Sequence, residues 1–248
     1  MVNREQELIA KFIEIKKRGW IETTRHGDQC LGNAFEDLIG KVEDNKSEAD
    51  FYGIELKVHR NITKSMVSLF SKSPSYPKGV NTYLRETYGV VEDDFGKRVL
   101  NTTVSGAKEN THRGGHSFKA VVDREKERIY LQIRDLSTNE ILNDEVYWSF
   151  AVLEKALEKK ISKVAILYGD EKDENGKHYV RYTEMRIIEN LSLEKMLESI
   201  EDGKLFIDIR IGVYASGKNQ GKTHDHGTGF RIHLNDVLTM YGDVRVIG

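Results

Sequence analysis

Asp50-Phe51-Tyr52-Gly53-Ile54-Glu55-Leu56-Lys57-Val58 is the stretch from which the rest of the chain can be read. Gly53 divides it into two short extended segments. In the second, Ile54, Leu56 and Val58 share one strand face, and Glu55 and Lys57 share the other. Two acids and a lysine held this way suit phosphodiester hydrolysis. That reaction uses a hard divalent ion such as Mg²⁺, bound by a few carboxylate oxygens, to polarise the phosphate and activate a water. Glu55 can ligate the ion, Asp50 can close the site from one short turn upstream, and the backbone carbonyl of Leu56 can add an oxygen. Lys57 can position the water or offset charge that builds on the phosphate.

The letters alone are weak support, because Glu14-Ile-Lys16, Asp44-Asn-Lys46, Glu158-Lys-Lys160, Asp170-Glu-Lys172 and Asp202-Gly-Lys204 match acid-x-Lys as well. Context separates them. Glu14 and Glu158 fall in predicted helices, where residues two apart diverge, and the other three fall in polar, turn-like segments. Only Glu55-Leu-Lys57 is expected on a strand. Glu36, on the helix before this stretch, is a further catalytic candidate. It has an equally good structural explanation, because Asn33-Ala-Phe-Glu36 has capping-box spacing.

Length and composition set outer bounds. The 248 residues suffice for a full core, and a single cysteine, Cys30, excludes an internal disulfide or a cysteine-rich zinc site. With no apolar signal core and no membrane-length apolar run, the chain is expected to be cytoplasmic. The formal net charge of −2 means that any nucleic-acid partner must be held by local basic surface. One such stretch runs from Lys57 to Arg85, where Lys57, Arg60, Lys64, Lys72, Lys78 and Arg85 occur with no acid between them. Ser, Asn and Thr residues in the same stretch add donors suited to phosphates.

Helices are predicted over Glu5 to Lys17, stopped at Gly19, and from an Asn33 cap towards Val42. A third is predicted from a Ser149 cap through Leu153 and Leu157 to Ile161, and a fourth over Ser192 to Ile200. Strands are expected at Arg128 to Arg134, Val164 to Tyr168 and Tyr179 to Ile187, the last entered by an Asn175-Gly176 turn. Val90 to His116 has a weak pattern, and Ser105 to His116 reads as a mobile loop whose order requires a ligand. The clearest alternation is Leu205 to Val213. There Ile207, Ile209, Ile211 and Val213 face one way and Asp208 and Arg210 the other, and Phe230 and Ile232 alternate similarly with Arg231 and His233.

Gly32-Asn-Ala-Phe-Glu-Asp-Leu38 and Ala49-Asp-Phe-Tyr-Gly-Ile-Glu-Leu-Lys-Val-His59 together resemble the PD-(D/E)xK nucleases. Within these they resemble the MvaI/BcnI group of type II restriction endonucleases, and its MvaI branch in particular. Leu69 to Pro74, Val146 to Phe150, Asp208 to Gly212 and Ser216 to Arg231 extend the likeness in the same order. It is weakest between about Val90 and Val122. The leading Pro of the motif is replaced by Ala49.

The resemblance implies an α/β (α+β) fold, with a restriction-endonuclease-like core of a mixed sheet flanked by helices and a C-terminal DNA-recognition lobe. Residues 1–170 would form the catalytic lobe and 171–248 the recognition lobe. It implies Mg²⁺-dependent cleavage of double-stranded DNA by a monomer at a CCNGG-type site, CCWGG on the closer likeness. One strand would be cut per event, leaving 5′-phosphate and 3′-hydroxyl ends, and a cognate DNA methyltransferase would act on the same site. Asp50, Glu55 and Lys57 become the active site, and Asp208, Arg210, His224, His226 and Arg231 the main base readers. Lys218 and Lys222 in the last block, with Lys64, Lys72 and Lys78, are assigned to DNA binding.

The residue chemistry agrees, since Arg pairs bidentately with guanine and Asp accepts from cytosine N4. Alternatives stay open. Asp208 and the arginines can simply pair with each other on a solvated face, and His224-Asp-His226 can bind a transition metal or brace a loop. The chain as a whole can be a repair nickase of the MutH type or a non-catalytic DNA-binding protein.

Overall fold

The computed structural model describes residues 4–40, 51–61, 66–91, 96–160, 163–214, 216–225, 227–233, 236–237, 240 and 243–248. Asp50, Lys64 and His226, and with them the decoy Asp44-Asn-Lys46, lie outside the described residues. The chain forms two compact units, one of residues 1–67, 157–191 and 241–248, the other of residues 68–156 and 192–240. The expected lobe boundary at 170/171 therefore falls inside the first unit, within one strand.

In the first unit, helix α1 (Arg4–Lys17) carries Glu5 and Glu7 in its first turn and Lys16 and Lys17 in its last, the order that suits the helix dipole. It buries Leu8, Phe12 and Ile15. Gly19, at φ 68°, ends it in a conformation that costs other residues strain. Helix α2 (Cys30–Ile39) buries Cys30, Leu31, Ala34, Phe35 and Ile39 against the same core. Contrary to expectation, α2 starts at Cys30. Gln29 occupies the cap position with no side-chain cap bond, and a turn closed by Cys30 N–H on the Gly27 carbonyl leads into it. Asn33 is thus inside the helix, and the capping-box account of Glu36 fails.

Both helices pack on a mixed sheet ordered β1 (Ile21–Thr23), β11 (Lys177–Glu189), β10 (Lys163–Glu174), β2 (Glu55–Arg60), with β15 (Asp243–Ile247) also on β11. β2 runs parallel to β10 and β10 antiparallel to β11. The β10–β11 hairpin turns at Asn175 (φ 53°) and Gly176 (φ 76°), the pair of positive φ values that a two-residue hairpin requires.

The second unit contains two sheets. One is ordered β3 (Met66–Ser71), β14 (Gly229–His233), β12 (Leu205–Val213), β5 (Arg98–Val104), β4 (Val90–Val91), with β13 (Thr223–Asp225) on β12. The other has β6 (His116–Asp123), β7 (Arg128–Asp135) and β8 (Ile141–Asn143), with β9 (Tyr147–Ser149) on β7. Helix α3 (Val80–Tyr88) follows β3, α4 (Phe150–Lys160) follows β9, and α5 (Leu193–Glu201) starts at Ser192, whose side chain accepts a bond from Lys195 N–H.

The weakly patterned 98–104 segment is a fully paired strand beside β12, with Leu100 and Val104 wholly buried. The loop after it is ordered by the chain itself. Asn110 Nδ2 donates to Thr102 Oγ1 and the Thr103 carbonyl, Asn110 Oδ1 accepts from Phe118 N–H, and His112 N–H donates to the His116 carbonyl. The ligand-dependent mobile loop expected here is not what the sequence forms.

Candidate active site

Phe51 and Ile54 exchange both backbone hydrogen bonds, at 2.8 and 3.0 Å, across a two-residue turn in which Tyr52 and Gly53 have φ of 47° and 91°. Only glycine takes the second angle readily. This turn sets the phase of β2. Ile54, Leu56 and Val58 enter the helix-covered core, so alternation sends Glu55 and Lys57 to the other face.

Glu55 is 4% exposed, and Lys57 Nζ donates to its Oε1 at 2.6 Å. A carboxylate so deeply buried is stable only when paired, and a paired lysine fixes its orientation. A carboxylate oxygen such as that of Glu55 is the kind of donor a hard divalent ion takes, alongside waters. Leu56 sits opposite Ala165 in the β2–β10 register. Glu36 is half-buried in the second turn of α2.

The decoys behave differently. Asp170-Glu-Lys172 does lie on a strand, contrary to expectation, but Asp170 Oδ2 accepts from Arg181 Nε while Lys172 Nζ reaches Glu174. Its acid and lysine serve different partners. Glu14 and Glu158 are helical, and Lys204 pairs with Asp202 on an exposed turn.

Within the basic stretch, two arginines have structural partners. Arg85 is 7% exposed and donates to the Arg98 carbonyl and to Glu86, while Arg60 pairs with Glu171. Lys72 and Lys78 are exposed, and Lys72 lies in an open recess of about 450 Å³ with Ser71, Ser73 and Ser75.

On β12 the predicted faces are observed. Ile207, Ile209 and Ile211 are buried, and Asp208 faces Thr103 across the β5 register with Asn101 opposite Arg210. Asp208 is 4% exposed, and its Oδ2 accepts from Arg210 Nε and Arg231 Nη1, each at 2.7 Å. Its Oδ1 accepts from Thr103 Oγ1 at 2.9 Å. Burial alone would raise the Asp208 carboxyl; the bonds from Arg210, Arg231 and Thr103 outweigh it and hold the group below the ordinary carboxylate range. The pairing weighed as an alternative is therefore present, but around a buried acid that carries two arginines with partly exposed side chains, 55% for Arg210 and 24% for Arg231.

Beside them, His224 stacks on Tyr214 with ring centres 4.0 Å apart. Asp225, between the two histidines, accepts from Ser73 Oγ, Asn81 Nδ2 and Gly227 N–H, tying its own turn to two other segments. Lys218 and Lys222 are exposed on the loop before β13. Thr103 and Asp225 were missed in the sequence. The β-branched run Thr102-Thr103-Val104 was a strand signal in an otherwise weak segment.

Residues 9–241 match the MvaI/BcnI restriction endonuclease family. The chain belongs to this family. It is a type II site-specific deoxyribonuclease, and its class of reaction requires a divalent cation. Two solved relatives agree over the full chain. A restriction endonuclease MvaI–cognate DNA substrate complex has 38% identity, TM-score 0.89 and complete coverage of both chains. MvaI in the absence of DNA has 39% identity and TM-score 0.68, covering 100% of this chain and 99% of that one. No curated protein matches. Membership of the MvaI/BcnI family accounts for a mixed α+β chain with Glu55-Leu-Lys57 on a sheet strand. Among the described residues, no helix is long and apolar enough to cross a membrane.

Proposed function

We propose that this endonuclease hydrolyses double-stranded DNA with Mg²⁺ at a CCNGG-type site, CCWGG in its preferred form. It would cut one strand per event and leave 5′-phosphate and 3′-hydroxyl ends. The observation that carries the reading is the buried Glu55 carboxylate bonded at 2.6 Å to Lys57 on one strand face. Glu55 would hold the ion, with Asp50 and the Leu56 carbonyl as further oxygen ligands and Glu36 as an additional carboxylate. When bound, Mg²⁺ supplies Lewis acidity to the phosphate and lowers the pKa of an attacking water. Lys57, kept in place by Glu55, would direct its ammonium to the charge that grows on the phosphate oxygens.

The relative solved with its cognate DNA supports DNA as the partner. Arg210 and Arg231 would read guanine O6 and N7, Asp208 cytosine N4, and His224 and His226 would add contacts. Asp208 has four lone-pair positions and three observed donors, which leaves one for a base amino group. Lys64, Lys72, Lys78, Lys218 and Lys222 would contact phosphates, as exposed lysines without sequence information do. The protein would act as a cytoplasmic monomer alongside a methyltransferase that protects the same site.

Digestion of supercoiled plasmid by the purified protein with Mg²⁺ tests this reading. Linear product with a single CCNGG sequence at every sequenced end is expected; nicking without linearisation would favour the repair nickase. Arg231→Ala is expected to weaken specific binding by about 1–3 kcal/mol with little change on random DNA. Equal losses on both DNAs, measured by titration at fixed salt, would reassign Arg231 to the backbone.

A further inference from the structure

Cys30, Glu171 and His178 come together in the first unit, although none is near another in sequence except across the β10–β11 hairpin. Cys30 is the first residue of α2, Glu171 lies on β10, and His178 on β11 sits opposite Asp173 in register. Each offers one ligand atom, and the three atoms lie within 4.8 Å of one another. A tetrahedral zinc ion with sulfur, nitrogen and oxygen ligands holds those atoms about 3.4–3.6 Å apart. His178 Nε2 and Glu171 Oε2 are already at 3.5 Å.

We propose that Cys30, Glu171 and His178 bind a transition-metal ion of the zinc type, distinct from the catalytic Mg²⁺. The surroundings support this assignment. His178 Nδ1 lies 2.8 Å from Asp173 Oδ1, the carboxylate–imidazole pairing that fixes a metal-binding histidine with its proton on Nδ1. The ring is nine-tenths buried, and Nε2, which then carries the lone pair, has no hydrogen-bond partner. Arg60 Nε donates to Glu171 Oε1, which holds the carboxylate with its other oxygen towards His178. Cys30 is wholly buried and its thiol donates to the Arg25 carbonyl. Coordination exchanges that bond for a metal–sulfur bond and releases the thiol proton to solvent.

The ligand set also tells which ion. Thiolate and imidazole select zinc-like metals, while Mg²⁺ takes oxygens and water. The charges balance, because a thiolate and a carboxylate neutralise a divalent ion, and Arg60 and Asp173 offset each other outside it. A water would complete four-coordination. The site is separate from Glu55 twice over. Ala165, Leu167, Gly169, Glu171 and Asp173 alternate on the helix-covered face of β10, whereas Glu55 projects from the opposite face of the sheet. Glu171 is also seven residues beyond the β10 partner of Glu55, roughly 23 Å along the strand. Metal here would tie the start of α2 to the hairpin.

Because Cys30 is the chain's single cysteine, Co²⁺ is a specific probe. The full-length protein, stripped with chelator and titrated with Co²⁺ in excess Mg²⁺, is expected to develop a thiolate-to-cobalt charge-transfer band that saturates at one ion per chain. Cys30→Ser should abolish the band, and His178→Ala should weaken Co²⁺ binding at least 100-fold. Asp173→Asn should weaken it by about 10–100-fold, as loss of such outer partners does, and Glu55→Gln should leave it unchanged. Circular dichroism checks that each variant is folded, and His178→Ala carries the test if Cys30→Ser is not. Absence of the band, or a band indifferent to both His178→Ala and Glu171→Gln, overturns the proposal.

Discussion

Lys57→Ala is expected to lower the rate of DNA cleavage by about 10²–10³-fold, the cost of removing one charge-stabilising group from a phosphoryl or acyl transition state. Two effects of the substitution must be separated. In the proposed mechanism Lys57 would neutralise charge at the reacting phosphate, and it also pairs at 2.6 Å with the buried Glu55. Losing the second role leaves a buried acceptor without its cation and costs about 1–3 kcal/mol of stability. Single-turnover cleavage at saturating protein, with the melting temperature measured in parallel, distinguishes them. The variant should stay folded and bind specific DNA within a few-fold of wild type while cleaving far more slowly. Cleavage within a few-fold of wild type would remove Lys57 from the mechanism and with it the reading of Glu55-Leu-Lys57 as the catalytic strand.

How much of this was legible in the sequence depended on whether one side of an element is buried. β12 was read with its faces correct because alternate isoleucines are excluded from water, and a one-residue slip would expose all of them. β2 was read for the same reason through Ile54, Leu56 and Val58. Where both faces are polar the signal disappears. β10 continues as a hairpin arm through Asp170-Glu-Lys172, a segment read as a turn, because its extended form is set by pairing with β11 and not by its own pattern. β5 was missed for a related reason. Its partner β12 lies about a hundred residues away, and only that pairing shows why Thr103 is needed.

Helix boundaries failed locally. Asn33 resembles a cap, but the turn closed on the Gly27 carbonyl starts α2 one turn earlier, where a cysteine gave no warning. The Glu55 and Lys57 pair was legible because both members lie on one strand, two residues apart. The Cys30, Glu171 and His178 cluster was not, because it is assembled from a helix start and two strands that only the fold brings together.

Asp208→Ala is expected to cost specific DNA binding about 2–5 kcal/mol, more than loss of either arginine alone. The acid is buried, and Arg210, Arg231 and Thr103 all donate to it, so its removal takes away the anion that holds two like-charged guanidinium groups together. Truncating the shared acceptor of a hydrogen-bonded charge set carries this magnitude. If Asp208 acts through the arginines, its effect overlaps with theirs. Asp208→Ala combined with Arg231→Ala should then fall short of the sum of the singles by about 0.5–3 kcal/mol in a double-mutant cycle. Additive losses would mean that Asp208 reads its base independently.

The pH dependence has a definite sign. A carboxyl held below its ordinary value of 3.8 contributes fully above that value and loses its contribution as pH falls through the lowered folded value. The arginine network should therefore be constant from about pH 5 upward. A fall in specific affinity with a midpoint near neutrality would have to come from another group, and it should persist in Asp208→Asn, which lacks the carboxylate at every pH.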